Sequence, residues 1–197
     1  MKNRFVVLLI LLAIILNSCT CVETHLTNEE KEWFSAYKKG ETIIFKSNLG
    51  NLDTISIIKK IETHGNKECN WLEIGTIQNH IMRIVFKPKV CRNESYCEGV
   101  IGISKDEIDE ESLPFFRIFG LEYDPNLQKN KLKLKEENIK LITTNENYPS
   151  AYYFENGVNA NGYGTNSPKS FYWDKKDGLI KYETKDGEVF ELLKQTN

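Results

Sequence analysis

Short runs of strand-forming residues, separated by turn residues at intervals of about a dozen, limit the fold of this 197-residue chain most strongly. Residues 52–61 alternate as LDTISIIKKI after the turn residues NLGN, and Asp186-Gly187 separates two further alternating runs, as in a tight hairpin. No long helical patterns alternate with these runs, which disfavours a parallel α/β fold. The predicted strands are residues 41–47, 52–61, 71–77, 81–86, 99–104, 115–122, 139–143, 151–154, 171–173, 179–184 and 188–193.

This pattern predicts a mainly β domain, built as an antiparallel meander or as a half-open barrel or sandwich with one or two short helices. The first helix is expected to begin at Thr27, because Glu30 completes the spacing of a capping box, and to end at Gly40. Residues 104–112 have the same capping-box spacing and predict a second short helix.

The N-terminus has the features of an export signal. A short basic segment precedes an apolar run over residues 5–16, which is too short to span a membrane, since spanning needs about 20 apolar residues. The run ends in Leu16-Asn17-Ser18-Cys19, which resembles the lipobox of bacterial lipoproteins. The resemblance implies cleavage before Cys19 and attachment of diacylglycerol to its thiol. The predicted organisation is a signal helix at 1–18, a lipidated tether at 19–28 and a single β-rich domain at 29–197.

The expected location is the cell envelope. Thr20 follows the predicted anchor, so the aspartate that retains some bacterial lipoproteins in the inner membrane is absent, and outer-membrane placement is favoured. The formal charge is -2 and no basic stripe is present, which argues against a nucleic-acid partner. The expected partners are the membrane, through the lipid anchor, and an envelope protein or glycan.

Four cysteines follow the predicted anchor, and disulfides are the default expectation for an exported protein. Cys69, Cys91 and Cys97 are the candidates, and Cys21 is a candidate free thiol because it lies two residues from the anchor. The sequence does not choose among the three possible pairings.

Neither a metal nor a cofactor is expected from the motifs. The cysteine spacing is not that of a zinc knuckle, which disfavours a metal site involving His64 or His80. The remaining histidine, His25, is also distant from these two in sequence, and no catalytic motif is present. No catalytic residue is therefore assigned, and the acidic residues 106–111 are interpreted as a solvated helix face.

Aromatic residues on both sides of a Gly- and Asn-rich segment, residues 155–169, are the best candidate for a contact surface. The segment is expected to be a long surface loop, and such loops are often functional. Consecutive aromatics on a strand point to opposite faces, so some of them lie outside the core. The candidate ligand contacts are Tyr163, Tyr172 and Trp173.

Two segments, GETIIFKSNLGNLDTISI (residues 40–57) and FYWDKKDGLIKYETKDGEVFELL (residues 171–193), resemble small lipoproteins of the Bacteroidota that have no assigned activity. The resemblance implies a β-rich envelope lipoprotein and supplies no active-site residues. We therefore expect a lipid-anchored envelope protein that binds or interacts and is not an enzyme. One alternative is a carrier of a lipid or other apolar ligand in a dry pocket. A less favoured one is an envelope hydrolase with two carboxylates facing across a cleft.

Overall fold

The computed structural model describes residues 21–69, 75–89, 98–118, 120–125, 135–155 and 168–196, with only the backbone of 194–196. Of these residues, 58% are in strands and 4% are helical, in keeping with the alternating sequence. The elements are β1 (Val22–Glu23), α1 (Asn28–Glu32), β2 (Thr42–Ser47), β3 (Leu52–His64), β4 (Ile77–Gln78), β5 (His80–Pro88), β6 (Gly99–Lys105), β7 (Phe115–Ile118), β8 (Leu121–Tyr123), β9 (Lys135–Lys140), β10 (Asn147–Glu155), β11 (Pro168–Asp174), β12 (Gly178–Thr184) and β13 (Val189–Thr196).

Eleven strands form one antiparallel sheet in the order β8-β7-β6-β5-β3-β2-β13-β12-β11-β10-β9. The sheet consists of two meanders, and the last strand joins them because β13 pairs with β2, with Leu192 opposite Phe45. The sheet curls into a half-barrel, so that Phe116 on β7 meets Phe154 on β10 with their ring centres 4.6 Å apart. The predicted fold class, a mainly β antiparallel meander or half-open barrel, is confirmed.

The N-terminal segment is tied to one end of this sheet. Strand β1 pairs in parallel with β4, and Cys21 forms a disulfide with Cys69, the Cα atoms lying 5.6 Å apart. The prediction that Cys69 forms a disulfide is confirmed, whereas the prediction of a free thiol at Cys21 is wrong, because pairing of β1 brings its sulfur to Cys69. The described part of the predicted tether therefore lies against the domain. Cys91, Cys97 and the predicted anchor Cys19 lie outside the described residues.

The first predicted helix begins as expected and ends early. Thr27 and Glu30 form both hydrogen bonds of the capping box, but α1 stops at Glu32. The chain then turns, which directs the aromatic residues that follow into the half-barrel, where Tyr37 is fully buried. Tyr37 closely approaches Gly178, whose φ of +74° favours glycine and where an added Cβ would lie 2.2 Å from the tyrosine hydroxyl.

The second predicted helix, over residues 104–112, is wrong. Strand β6 continues through Lys105, and residues 106–114 are irregular, with a bend at 108–110. The Ser104 hydroxyl donates to the Asp106 carboxylate at 2.7 Å and thus does not cap a helix. Residues 106–111 are exposed, so their predicted solvation is observed on a non-helical segment. No helix in the described part of the chain has the length and apolar character that a membrane crossing requires.

Candidate functional site

The aromatic residues predicted as a contact surface lie on β10 and β11, which pair with Tyr153 opposite Tyr172. Because alternate residues of a strand face opposite sides, this register sorts the aromatics into two sets. The inward set packs in the core and consists of Tyr152, Phe154, Phe171 and Trp173. The set on the opposite face is Tyr153 and Tyr172; both are half-buried, and Tyr172 also packs against the edge of the core.

The three candidate contact residues have different positions in the structure. Trp173 has 0% exposure and packs edge to face against Tyr37 at 5.7 Å, so a ligand would reach its ring only if the core opened. Tyr172 lies on the outer face. Tyr163 lies outside the described residues. Of the predicted contacts, Tyr172 is the one that the described structure presents on the outer face.

Five side chains form what we call the tyrosine face: Tyr153, Tyr172, Lys135, Lys181 and Glu137. The two tyrosine rings lie 4.8 Å apart at a tilt of 44°. The Lys135 ammonium lies 4.9 Å from the centre of the Tyr153 ring, and the Lys181 ammonium lies 5.4 Å from that of Tyr172. The Tyr172 hydroxyl donates to the Glu137 carboxylate at 3.2 Å. The face therefore presents aromatic surface, cations and a carboxylate together.

Burial is the main reason that the pKa values of both tyrosines are raised, and at Tyr172 the negative charge of Glu137 adds to it. Their hydroxyls thus stay protonated at neutral pH, which keeps the hydrogen bond from Tyr172 to Glu137 in place. The pKa of Glu137 is lowered, first by its hydrogen bond with Lys135, so this carboxylate stays charged. These features are those of interface residues, since Tyr combines a large apolar area with a polar tip.

The interior of the half-barrel is filled by the chain's own side chains. Trp33, Phe34 and Tyr37, which follow α1, are all buried among residues of the strands. Trp33 packs against Phe116 and Tyr152, with ring centres 5.9 Å and 4.5 Å away. A carrier of an apolar ligand would have to displace these rings to open a dry pocket.

The buried carboxylates of the described residues are held by structural hydrogen bonds. Glu41 accepts from the Lys38 N–H at 2.7 Å, and Glu191 accepts from the Thr143 N–H at 2.8 Å and from its hydroxyl at 2.9 Å. Glu30 accepts from the Lys105 ammonium at 2.9 Å. Each of these three groups fixes a loop or a helix start, which is a structural role and not the paired arrangement of a hydrolase.

A second candidate site is formed by His25, His64 and His80, which we call the histidine cluster. His64 and His80 are directly paired residues of β3 and β5, so their side chains share one face of the sheet. His25 follows β1, and the pairing of β1 with β4 places its ring beside theirs. One ring nitrogen from each histidine lies within 4.8 Å of the other two, a spacing that is compatible with a shared metal ion. His25 is exposed, His64 is half-buried and His80 is buried.

Hydrogen bonds define the tautomer of His80. The Leu26 N–H donates to Nδ1 of His80 at 3.1 Å, so the proton of the neutral ring resides on Nε2. That nitrogen lies 3.0 Å from Glu62 Oε1 and donates to it. At His64, Nε2 lies 3.2 Å from both the Thr24 carbonyl and the Glu23 carboxylate. Two carboxylates therefore border the cluster.

Burial and the charge of the neighbouring His64 lower the pKa of His80, although the hydrogen bond with Glu62 opposes this shift. The ring is thus neutral at pH 7, the form that binds metal ions. The pKa of Glu62 is also lowered, first by its hydrogen bond with Lys31. The site therefore combines a neutral buried imidazole with a charged carboxylate.

The sequence did not predict the histidine cluster, because the three residues are far apart along the chain and match no ligand motif. The relevant signal was the hairpin itself: β3 and β5 both extend beyond their predicted ends, and the added residues include His64 and His80. The contribution of His25 depends on the pairing of β1 with β4. Each of these strands has only two residues, which is too short for a recognisable sequence pattern.

Comparison of the chain with protein-family models, with curated proteins and with solved structures gives no match. The function must therefore be argued from the two sites themselves.

Proposed function

We propose that this chain is a lipid-anchored protein of the bacterial cell envelope that binds another envelope protein or a glycan through the tyrosine face. The observation that carries the proposal is the pair of Tyr153 and Tyr172, with their rings 4.8 Å apart on the face of β10 and β11 opposite that of Trp173. Lipid attachment at Cys19 is the part of the proposal that rests on the lipobox resemblance.

Physical reasons favour this face as a binding surface. Tyrosine brings a large contact area at a low cost in conformational entropy, and it is enriched among the residues that dominate binding energy. Lys135 and Lys181 lie over the rings, so a partner that supplies carboxylates or hydroxyls would meet cations and aromatic surface at one place. Residues 156–167, which include Tyr163 and lie outside the described residues, follow β10 and precede β11 in the chain.

The anchor is tested by replacing the predicted lipid-bearing residue, Cys19→Ser. We expect the wild-type chain to remain in the membrane fraction, because two or three acyl chains anchor stably, and the variant to lose the acyl mass. The measurement is the intact mass of protein extracted from native envelopes. An unlipidated wild-type chain, or acyl mass retained in the variant, would refute the anchor and leave the tyrosine face untouched.

The binding surface is tested by placing a photoreactive amino acid at Tyr172 and illuminating native envelopes. We expect one discrete adduct, absent when the same amino acid replaces Leu49, which is 71% exposed and belongs to the β2–β3 turn. A second variant, Tyr153→Ala, is expected to reduce the yield of the adduct at position 172 at least fivefold. Equal labelling at positions 49 and 172, or no adduct at either, contradicts the proposal.

A further inference from the structure

We propose that the histidine cluster is a binding site for a divalent transition-metal ion of the zinc type, with His25, His64 and His80 as ligands. This inference is independent of the tyrosine face, since it concerns the end of the sheet where β1, β3 and β5 meet. Imidazole nitrogen is a preferred ligand for Zn²⁺, Cu²⁺, Ni²⁺ and Co²⁺.

The arrangement of the rings fits one shared ion. Three imidazoles bonded to one metal at about 2.0–2.1 Å have ring centres roughly 5 Å apart. The observed separations are 5.4 Å for His25 and His64, 6.2 Å for His25 and His80, and 4.5 Å for His64 and His80. The ligand nitrogens, now within 4.8 Å of one another, have to approach by a little over an ångström. The exposed ring of His25 can provide this movement by changing its rotamer.

The charges around the cluster favour a cation. Glu23 Oε1 lies 3.2 Å from Nε2 of His64, and Glu62 Oε1 lies 3.0 Å from Nε2 of His80. These oxygen-to-nitrogen distances are similar to those between two ligand atoms bound to the same metal ion. Lys31 opposes this attraction because its ammonium bonds the same Glu62 oxygen at 2.8 Å. Removal of the lysine charge would therefore favour the cation.

Metal binding is expected to act on the N-terminal segment through His80. Its Nε2 carries a proton, so ligation by Nε2 as a neutral imidazole requires that the proton move to Nδ1. A proton on Nδ1 would face the Leu26 N–H, which now donates to Nδ1 at 3.1 Å. Ligation by Nδ1 would displace the same N–H. By either nitrogen, the ion competes with the hydrogen bond that holds Leu26.

The experiment titrates the full-length chain, purified in detergent, with Zn²⁺ by calorimetry and with Co²⁺ by absorption. We expect binding of one equivalent, with imidazole and carboxylate ligands and no thiolate-to-metal absorption. His25→Asn and His64→Asn, which leave the buried His80 in place, are each expected to weaken Zn²⁺ binding at least tenfold. Lys31→Gln is the matched control on the same surface, and it is expected to bind as tightly as the wild type or more tightly.

A structural readout separates a site at this cluster from binding elsewhere. The NMR signal of the Leu26 amide is expected to shift on addition of Zn²⁺ to the wild type and to stay unchanged in His25→Asn at the same concentration. Absence of binding, affinity that is unchanged in both histidine variants, or thiolate absorption with Co²⁺ overturns the proposal. None of these results bears on the photoadduct at position 172, which tests the tyrosine face separately.

Discussion

At the scale of single residues, the ion pair between Lys105 and Glu30 connects the helix start to the sheet. Both residues are 4% exposed. Burial alone would raise the pKa of Glu30, but hydrogen bonds from Lys105 and from the N–H groups of Ser112 and Thr27 outweigh it, so the pKa is lowered. The pair thus joins α1, β6 and the bends after β6 through one carboxylate.

Removal of one partner is expected to destabilise the protein more than removal of both. In Lys105→Met the carboxylate of Glu30 stays buried without its cation, which costs about 3–5 kcal/mol of unfolding free energy. In the double variant Glu30→Gln/Lys105→Met no buried charge remains, so we expect a smaller loss than in the single variant. Urea unfolding at pH 7 measures both. A double variant that is less stable than Lys105→Met would contradict this account.

The same carboxylate predicts a dependence on pH. Because the pKa of folded Glu30 lies below its ordinary value of 4.5, its stabilisation is complete above pH 4.5 and is lost as the pH falls through the lowered value. The free energy of unfolding is therefore expected to fall more steeply below pH 5 in the wild type than in the double variant Glu30→Gln/Lys105→Met. If the free energies of unfolding of the two proteins fell in parallel as the pH was lowered, Glu30 would not contribute to the pH dependence.

At the scale of elements, the alternation of apolar and polar residues predicted where strands lie. Pairing with strands that are remote in sequence decided where they end. Residues 52–61 were predicted as a strand, and β3 continues to His64 because β5 supplies partners up to His80. Such partners are remote in sequence, so the single chain does not reveal the extension. The histidine cluster is a consequence of that extension and was missed for the same reason.

The two helix predictions show why local signals succeed at one place and fail at another. The capping box at Thr27 forms as its residues predict, since all of its contacts are local. The same spacing at Ser104 fails because Lys105 completes a strand and reaches Glu30, a contact across 75 residues. The aromatic residues of β10 and β11 were likewise predicted as strand residues, but only the register assigned Trp173 to the core and Tyr172 to the outer face.

At the scale of the whole molecule, β13 and the segment after Cys21 both connect parts of the sheet that are far apart in sequence. Strand β13 joins the two meanders through β2, whereas the segment after Cys21 crosses the ends of β3 and β5. There the Thr24 hydroxyl accepts a hydrogen bond from the backbone N–H of His80 at 3.1 Å and donates one to the backbone carbonyl of Lys105. The disulfide thus fixes, only two residues after the predicted anchor, a segment that also carries His25.

The disulfide is expected to stabilise the molecule mainly by restricting the unfolded chain. It joins residues 48 positions apart, and closure of such a loop contributes about 4 kcal/mol in the chain-entropy model. We expect Cys21→Ser/Cys69→Ser to remain folded, because the eleven-stranded sheet does not depend on this bond, and to lose about 2–4 kcal/mol of unfolding free energy.

Urea unfolding of the oxidised wild type, the reduced wild type and the double variant measures this contribution. With reductant added to both proteins, the wild type and the double variant are expected to have the same midpoint, since both then lack the Cys21–Cys69 cross-link and any bridge between Cys91 and Cys97. Equal midpoints for the oxidised wild type and the double variant would mean that β1–β4 pairing and the contacts of His80 alone hold the N-terminal segment in place. In that case the histidine cluster would persist without the bridge, and Zn²⁺ affinity measured in the double variant would equal that of the wild type.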